Sequence, residues 1–108
     1  MTETVPTNRP AIVAAVCNVP TAHASRYLQQ LCKHWSHRFA VSFTPEEGTV
    51  ELPESVRLEL RVGAGTLGLR LEAASETALE PMKGVVERHL DRLAFREAPL
   101  AFRWTPAA

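Results

Sequence analysis

What the chain lacks excludes several function classes. It has no net charge: twelve Lys and Arg balance twelve Asp and Glu over 108 residues. Nucleic-acid binding draws its affinity from an excess of cations, so DNA or RNA is not expected as the main partner. The longest apolar run, Ala11–Cys17, is far short of the roughly 20 residues that span a bilayer, and no membrane role is expected. Cysteine is scarce, with only Cys17 and Cys32. They form no CxxC motif and sit among apolar neighbours, which predicts buried, reduced thiols. The Met1–Pro6 stretch is polar and carries no apolar segment behind a basic start, so no leader and a cytoplasmic location are expected. No GxSxG, Walker loop, HExxH or dinucleotide fingerprint occurs. Aromatics are few, and none falls at an outward position of the expected sheet, where RNA-binding sheets stack bases.

What remains is 45% apolar, enough for one modest core. Residues 1–10 read as a mobile tail, 11–105 as a single domain and 106–108 as a second tail. Pro10 to Asn18 is a β-branched apolar run and predicts a strand. Both of its alternating sets are apolar, so it calls for cover on two faces. Val19-Pro20 breaks it, and Thr21 is placed to cap a helix over Ala22 to about Arg38. Ala24, Leu28, Leu31, Cys32, Trp35 and Phe39 make that helix's apolar stripe.

Period-two patterning follows. Val41 and Phe43 alternate with polar neighbours, and Pro45–Gly48 reads as a turn. Val50 and Leu52, then Val56 to Val62, then Leu67 to Leu71, give three more one-faced strands. Gly63-Ala-Gly65 is the turn between the last two. A second helix is expected from Ser75 or Thr77, with Thr77 and Glu80 as a capping box and Pro81 distorting its first turn. Gly84 would admit the close approach of another element. Leu100, Phe102 and Trp104 alternate and predict a final strand. The order β-α-β-β-β-β-α-β predicts an α+β fold, a two-layer sandwich of mostly antiparallel sheet with two helices on one face.

Three of the four histidines fall in the first helix. His23, Tyr27, His34 and His37 share one flank, at the edge of the apolar stripe. His89 holds a similar boundary position on the second helix. If the helices lie side by side, His34 and His89 meet between them. Imidazoles on adjacent elements are a candidate metal or haem site, with His34 and His89 as ligands and His37 as a third. The competing reading is structural histidines bonded to a carbonyl or to Glu87 or Asp91. A third is acid/base chemistry in a small enzyme. On the outer sheet face, Arg57, Arg61, Arg70 and Arg103 suggest either cross-strand charge pairs or an anion-binding face.

Two segments carry a resemblance: Arg26-Tyr-Leu-Gln-Gln-Leu-Cys-Lys-His-Trp-Ser-His-Arg-Phe39 and Val85-Val-Glu-Arg-His-Leu-Asp-Arg-Leu-Ala-Phe-Arg-Glu97. They resemble the two signatures of the bacterial family catalogued as domain of unknown function 2218, over roughly residues 11–105. In the second, Leu93 stands where the family has Phe. The resemblance implies His34, Trp35, His37, Arg38 and His89 as motif positions, with Tyr27 and Arg92 inside the same segments. It implies no established activity. It implies an accessory part in iron-siderophore handling, with a siderophore-interacting flavin reductase as partner, and a fold similar to the TATA-binding-protein-like domain of phosphohexomutases. The two-faced first strand adds homodimerisation as an expectation. The charge is also unevenly spread: residues 21–39 hold Arg26, Lys33, Arg38 and three histidines without an acid, whereas residues 45–54 hold four glutamates without a base.

Overall fold

In the computed structural model, which describes residues 12–107, the apolar run forms β1 (Val13–Pro20). Val13, Ala15, Cys17 and Val19 turn toward the core, and Ala14, Val16 and Asn18 turn away. Helix α1 (Ala24–Trp35) follows, then β2 (Val41–Phe43) and β3 (Glu47–Leu52). A single 3₁₀ turn over Pro53–Ser55 leads into β4 (Val56–Gly63), and the Gly65 turn into β5 (Thr66–Ala73). Gly65 has φ +69°, the left-handed conformation that a tight hairpin needs. Helix α2 (Glu76–Leu93) and β6 (Thr105–Ala107) complete the order expected from the pattern.

The six strands form one antiparallel sheet in the order β2-β3-β4-β5-β1-β6. Both helices pack on one face of it around a single core. Leu58, Leu60, Leu67 and Leu71 from the sheet meet Leu28 and Leu31 of α1 and Leu79, Val86 and Leu90 of α2. The fold is the two-layer α+β sandwich. Gly48 marks the tightest contact between the layers: a Cβ there would stand 2.8 Å from Cys32 Sγ and 3.3 Å from Phe43 Cβ. The expected Pro45–Gly48 turn therefore ends early. Gly48 belongs to β3, where its missing side chain lets α1 settle onto the sheet.

Other boundaries also differ. The N-cap of α1 is His23, without a side-chain bond; Thr21 Oγ1 instead accepts the His23 N–H at 3.0 Å. Ser75, rather than Thr77, caps α2 by accepting the Ala78 N–H at 3.2 Å. The helix runs through Pro81, and only the Arg88 side chain, not another element, lies over Gly84. Leu100–Trp104 is not a strand. Its alternation is real, with Leu100 buried and Phe102 and Trp104 half-buried, but its polar groups bond to α2. The Leu100 N–H donates to Asp91 and the Trp104 indole to Glu87. Pairing begins only at Thr105, where β6 meets Ala14–Val16.

The second face of β1 gains no second layer. Ile12 is 55% exposed, and the outer face of the sheet is charged. There Arg57 pairs with Glu51 at 2.9 Å, Arg61 with Glu47 at 3.5 Å and Arg70 with Glu72 at 2.9 Å. Three of the four arginines of the anion-face reading are thus matched by carboxylates. The whole of the expected N-terminal tail, residues 1–10, lies outside the described residues, as do Ala11 and Ala108.

Candidate functional site

The seam between α1 and α2 is set by two apolar stripes that meet over the sheet. Residues at the edge of each stripe are carried to the seam's rim, half in and half out of water. His34 takes that position in the last turn of α1, and His89 in the last two turns of α2. Their ring centroids lie 5.9 Å apart with planes tilted by 42°. Trp35, almost fully buried, stands behind His89 at 5.0 Å between ring centroids, and it also packs edge-on against Phe39. Leu31, Leu93 and Arg92 complete a hollow of about 140 Å³.

The orientation of His89 is fixed. Its Nδ1 lies 2.7 Å from the Val85 carbonyl, which only accepts, so Nδ1 carries the proton. In the neutral ring Nε2 is then left with a lone pair. The carboxylates expected as partners are used elsewhere: Glu87 holds the Trp104 indole, and Asp91 holds the Leu100 N–H. His34 is exposed on the opposite wall.

The sequence thus placed the central pair, but not its company. His37 lies in the turn after α1, exposed, and does not complete a ligand set. Among the described residues no group of three His, Cys, Asp or Glu side chains could hold a metal. Two imidazoles sharing one zinc would have centroids roughly 5–6.5 Å apart, given Zn–N of about 2 Å, so the observed separation suits half a site. Arg38 is exposed beyond the helix end. Cys32 faces the sheet, and burial pushes its thiol up to about 11. Burial raises Cys17 as well, against an opposing hydrogen bond from the Arg103 backbone.

One cluster was not anticipated. The Glu97 carboxylate accepts hydrogen bonds from the Tyr27 phenol and from Thr21 Oγ1, the latter at 3.0 and 3.1 Å to its two oxygens. The phenol's hydrogen bond holds the carboxyl below its ordinary range, opposed by desolvation and helped by Thr21, His23 and Arg26. Burial, with the same carboxylate, pushes the Tyr27 phenol up. His23 stands edge-on to Tyr27 at 6.0 Å. The only hint in the sequence was that Tyr27 and Glu97 each lie within a motif-like segment.

A larger hollow, about 480 Å³, is elsewhere, on the outer sheet face around Glu59, Arg61 and Arg70. Arg61 and Arg70 are paired with Glu47 and Glu72, so an anion there would meet a carboxylate beside each guanidinium.

Comparison with known proteins concerns the chain as a whole. Residues 16–105 match the model of a family described as "Uncharacterized protein conserved in bacteria (DUF2218)". Among solved structures, the chain is similar to PA4090 from Pseudomonas aeruginosa, determined by NMR: 35% identity, TM-score 0.73, covering 88% of this chain and 97% of that one. No curated protein matches.

Proposed function

The chain belongs to the bacterial DUF2218 family, and from that premise we propose that it is a non-enzymatic accessory domain that binds an anionic ligand at the seam between α1 and α2. The observation that carries this reading is the His34–His89 pair in a hollow whose lining adds Arg92 and no carboxylate. Two imidazoles and a guanidinium offer donors and positive charge on a partly apolar floor. His89 is backed by a carbonyl rather than a carboxylate, which fixes its tautomer and orientation. Among the residues lining the hollow there is neither a carboxylate behind the imidazoles nor a nucleophile beside them, which favours binding over acid/base catalysis. The accessory role in iron-siderophore handling, beside a flavin reductase, is the setting we propose for it. The open outer face of β1, with Ile12 exposed, is the surface that would serve a second copy, and light scattering tests that dimer directly.

Metal or haem ligation by the same pair is the second reading, favoured by the 5.9 Å separation. The two readings have opposite pH slopes. Protonation adds charge that an anion would feel, but removes the lone pair that a metal needs. Titration with inorganic phosphate and with Zn(II) between about pH 5 and 8 separates them. Phosphate binding that strengthens as pH falls, and is lost in His34→Ala/His89→Ala, supports the anion site. Zinc binding that strengthens as pH rises, with phosphate silent, replaces it with the metal site. Neither ligand moving the pair's NMR signals refutes both.

A further inference from the structure

The C-terminal half of α2 sorts its charges into two rows. Glu87 and Asp91 lie one turn apart and face inward, receiving the Trp104 indole and the Leu100 N–H. Glu97, just past the helix, is taken by Tyr27 and Thr21. All three acids of residues 86–97 are therefore engaged within the fold. The three bases of the same stretch, Arg88, Arg92 and Arg96, recur every fourth residue, and all three are exposed. Among the described residues none of them has an ion-pair partner, and Arg26 of α1 stands beside them without one.

An apolar projection sits at the end of this row. Phe95 is 71% exposed, far more than any other aromatic side chain described, and the Arg96 guanidinium lies 5.6 Å from its ring centre. The projection is held firmly. The N–H groups of Glu97 and Ala98 both return to the Ala94 carbonyl, and the Glu97 carboxylate is clamped to α1. A small hollow between Arg26, Leu93, Phe95 and Arg96 lies at its foot.

We propose that this patch docks an acidic segment of a partner protein, whose apolar side chain packs on Phe95 and whose carboxylates align with Arg88, Arg92 and Arg96. The inference goes beyond the small-anion site, sharing Arg92 with it but using neither histidine. Arg88 and Arg92, both within α2, are about 6 Å apart along its axis, four residues of helical rise, and Arg96 follows in the turn just past the helix end. Carboxylates on successive turns of a helix, or on alternate residues of a strand, share that spacing. Arginine beside an exposed aromatic is the composition of interface hot spots, and a pre-ordered surface loses little entropy on binding. Nucleic acid fits less well, because the chain is neutral overall and its sheet face carries four glutamates.

The test is selection of random displayed peptides on the full chain. Enriched peptides carrying several Asp or Glu around one large apolar residue are expected. Their affinity should fall at least roughly tenfold in Phe95→Ala and in Arg92→Glu/Arg96→Glu, and stay unchanged in His34→Ala/His89→Ala. These arginines and Phe95 are exposed, so folding is checked simply by circular dichroism. The proposal is overturned by a selection without acidic enrichment, by peptides that bind the variants equally well, or by single-stranded RNA binding more tightly than any selected peptide. Phosphate binding that persists unchanged in the histidine variant, with peptide binding still dependent on Phe95 and the arginines, removes the earlier reading alone.

Discussion

The Tyr27 phenol and the Glu97 carboxylate meet across 70 residues of sequence, and nothing in either neighbourhood announces the pairing. Helical periodicity tells which face a residue occupies, not which distant polar group will stand opposite. His34 and His89 were easier, because two boundary residues on adjacent helices must face one seam. The unanticipated pair has a titration signature. Glu97 ionises below its ordinary range in the fold, so its stabilisation is present above the unfolded carboxylate value and is lost as pH falls through its folded value. Urea midpoints of the wild type and Glu97→Gln should therefore differ at neutral pH and converge only as pH falls below the ordinary glutamate range. Tyr27→Phe, which deletes one hydrogen bond, should cost about 1 kcal/mol in the same assay. The thiols give a second check at this scale. With Cys32 raised to about 11 and Cys17 also raised, both stay protonated and shielded at neutral pH. A thiol reagent should label neither in the native protein and both once guanidinium unfolds it.

Strands and helices were legible where a single periodicity ran unbroken, as in β4, β5 and the body of each helix. The misplacements share a cause: a side chain or backbone group found a tertiary partner that local pattern could not show. Leu100–Trp104 alternates like a strand because α2 and the core take one of its sides, while its polar groups go to Asp91 and Glu87 instead of a ladder. Gly48 looked like a turn residue because glycine suits turns, yet it lies in β3 to admit Cys32 and Leu28 of α1. Gly48→Ala should therefore destabilise the protein by about 1–3 kcal/mol through overpacking. Cys32→Ala in the same chain should recover part of that loss. A denaturation double-mutant cycle reads the coupling, which would be near zero if the two elements did not touch.

At the scale of the molecule, the zero net charge conceals an arrangement. The outer face of the sheet intersperses four glutamates with three arginines, matched in three pairs. The C-terminal half of α2 engages its acids within the fold and leaves its arginines exposed. The sheet-face pairs are exposed or half-exposed and contribute little, each on the order of 0–1 kcal/mol. Raising salt to about 1 M should shift unfolding stability by less than about 1 kcal/mol, since charges at that ionic strength are screened beyond about 3 Å. The same salt should greatly weaken any partner held by the arginine row, so stability and binding respond differently to one variable.

The position of β1 between β5 and β6 has a consequence for how the protein is made. The strand is made before the rest of the domain, but its two neighbours in the sheet are Thr66–Ala73 and Thr105–Ala107. During elongation its apolar Val13–Val19 stretch waits without a sheet partner until β5 emerges, and without its second one until β6 appears. Such a stretch is prone to associate with other nascent chains while it waits. Slowing translation between β1 and β5 should then reduce soluble yield, whereas slowing it within α2, once β5 is available to pair with β1, should reduce it less.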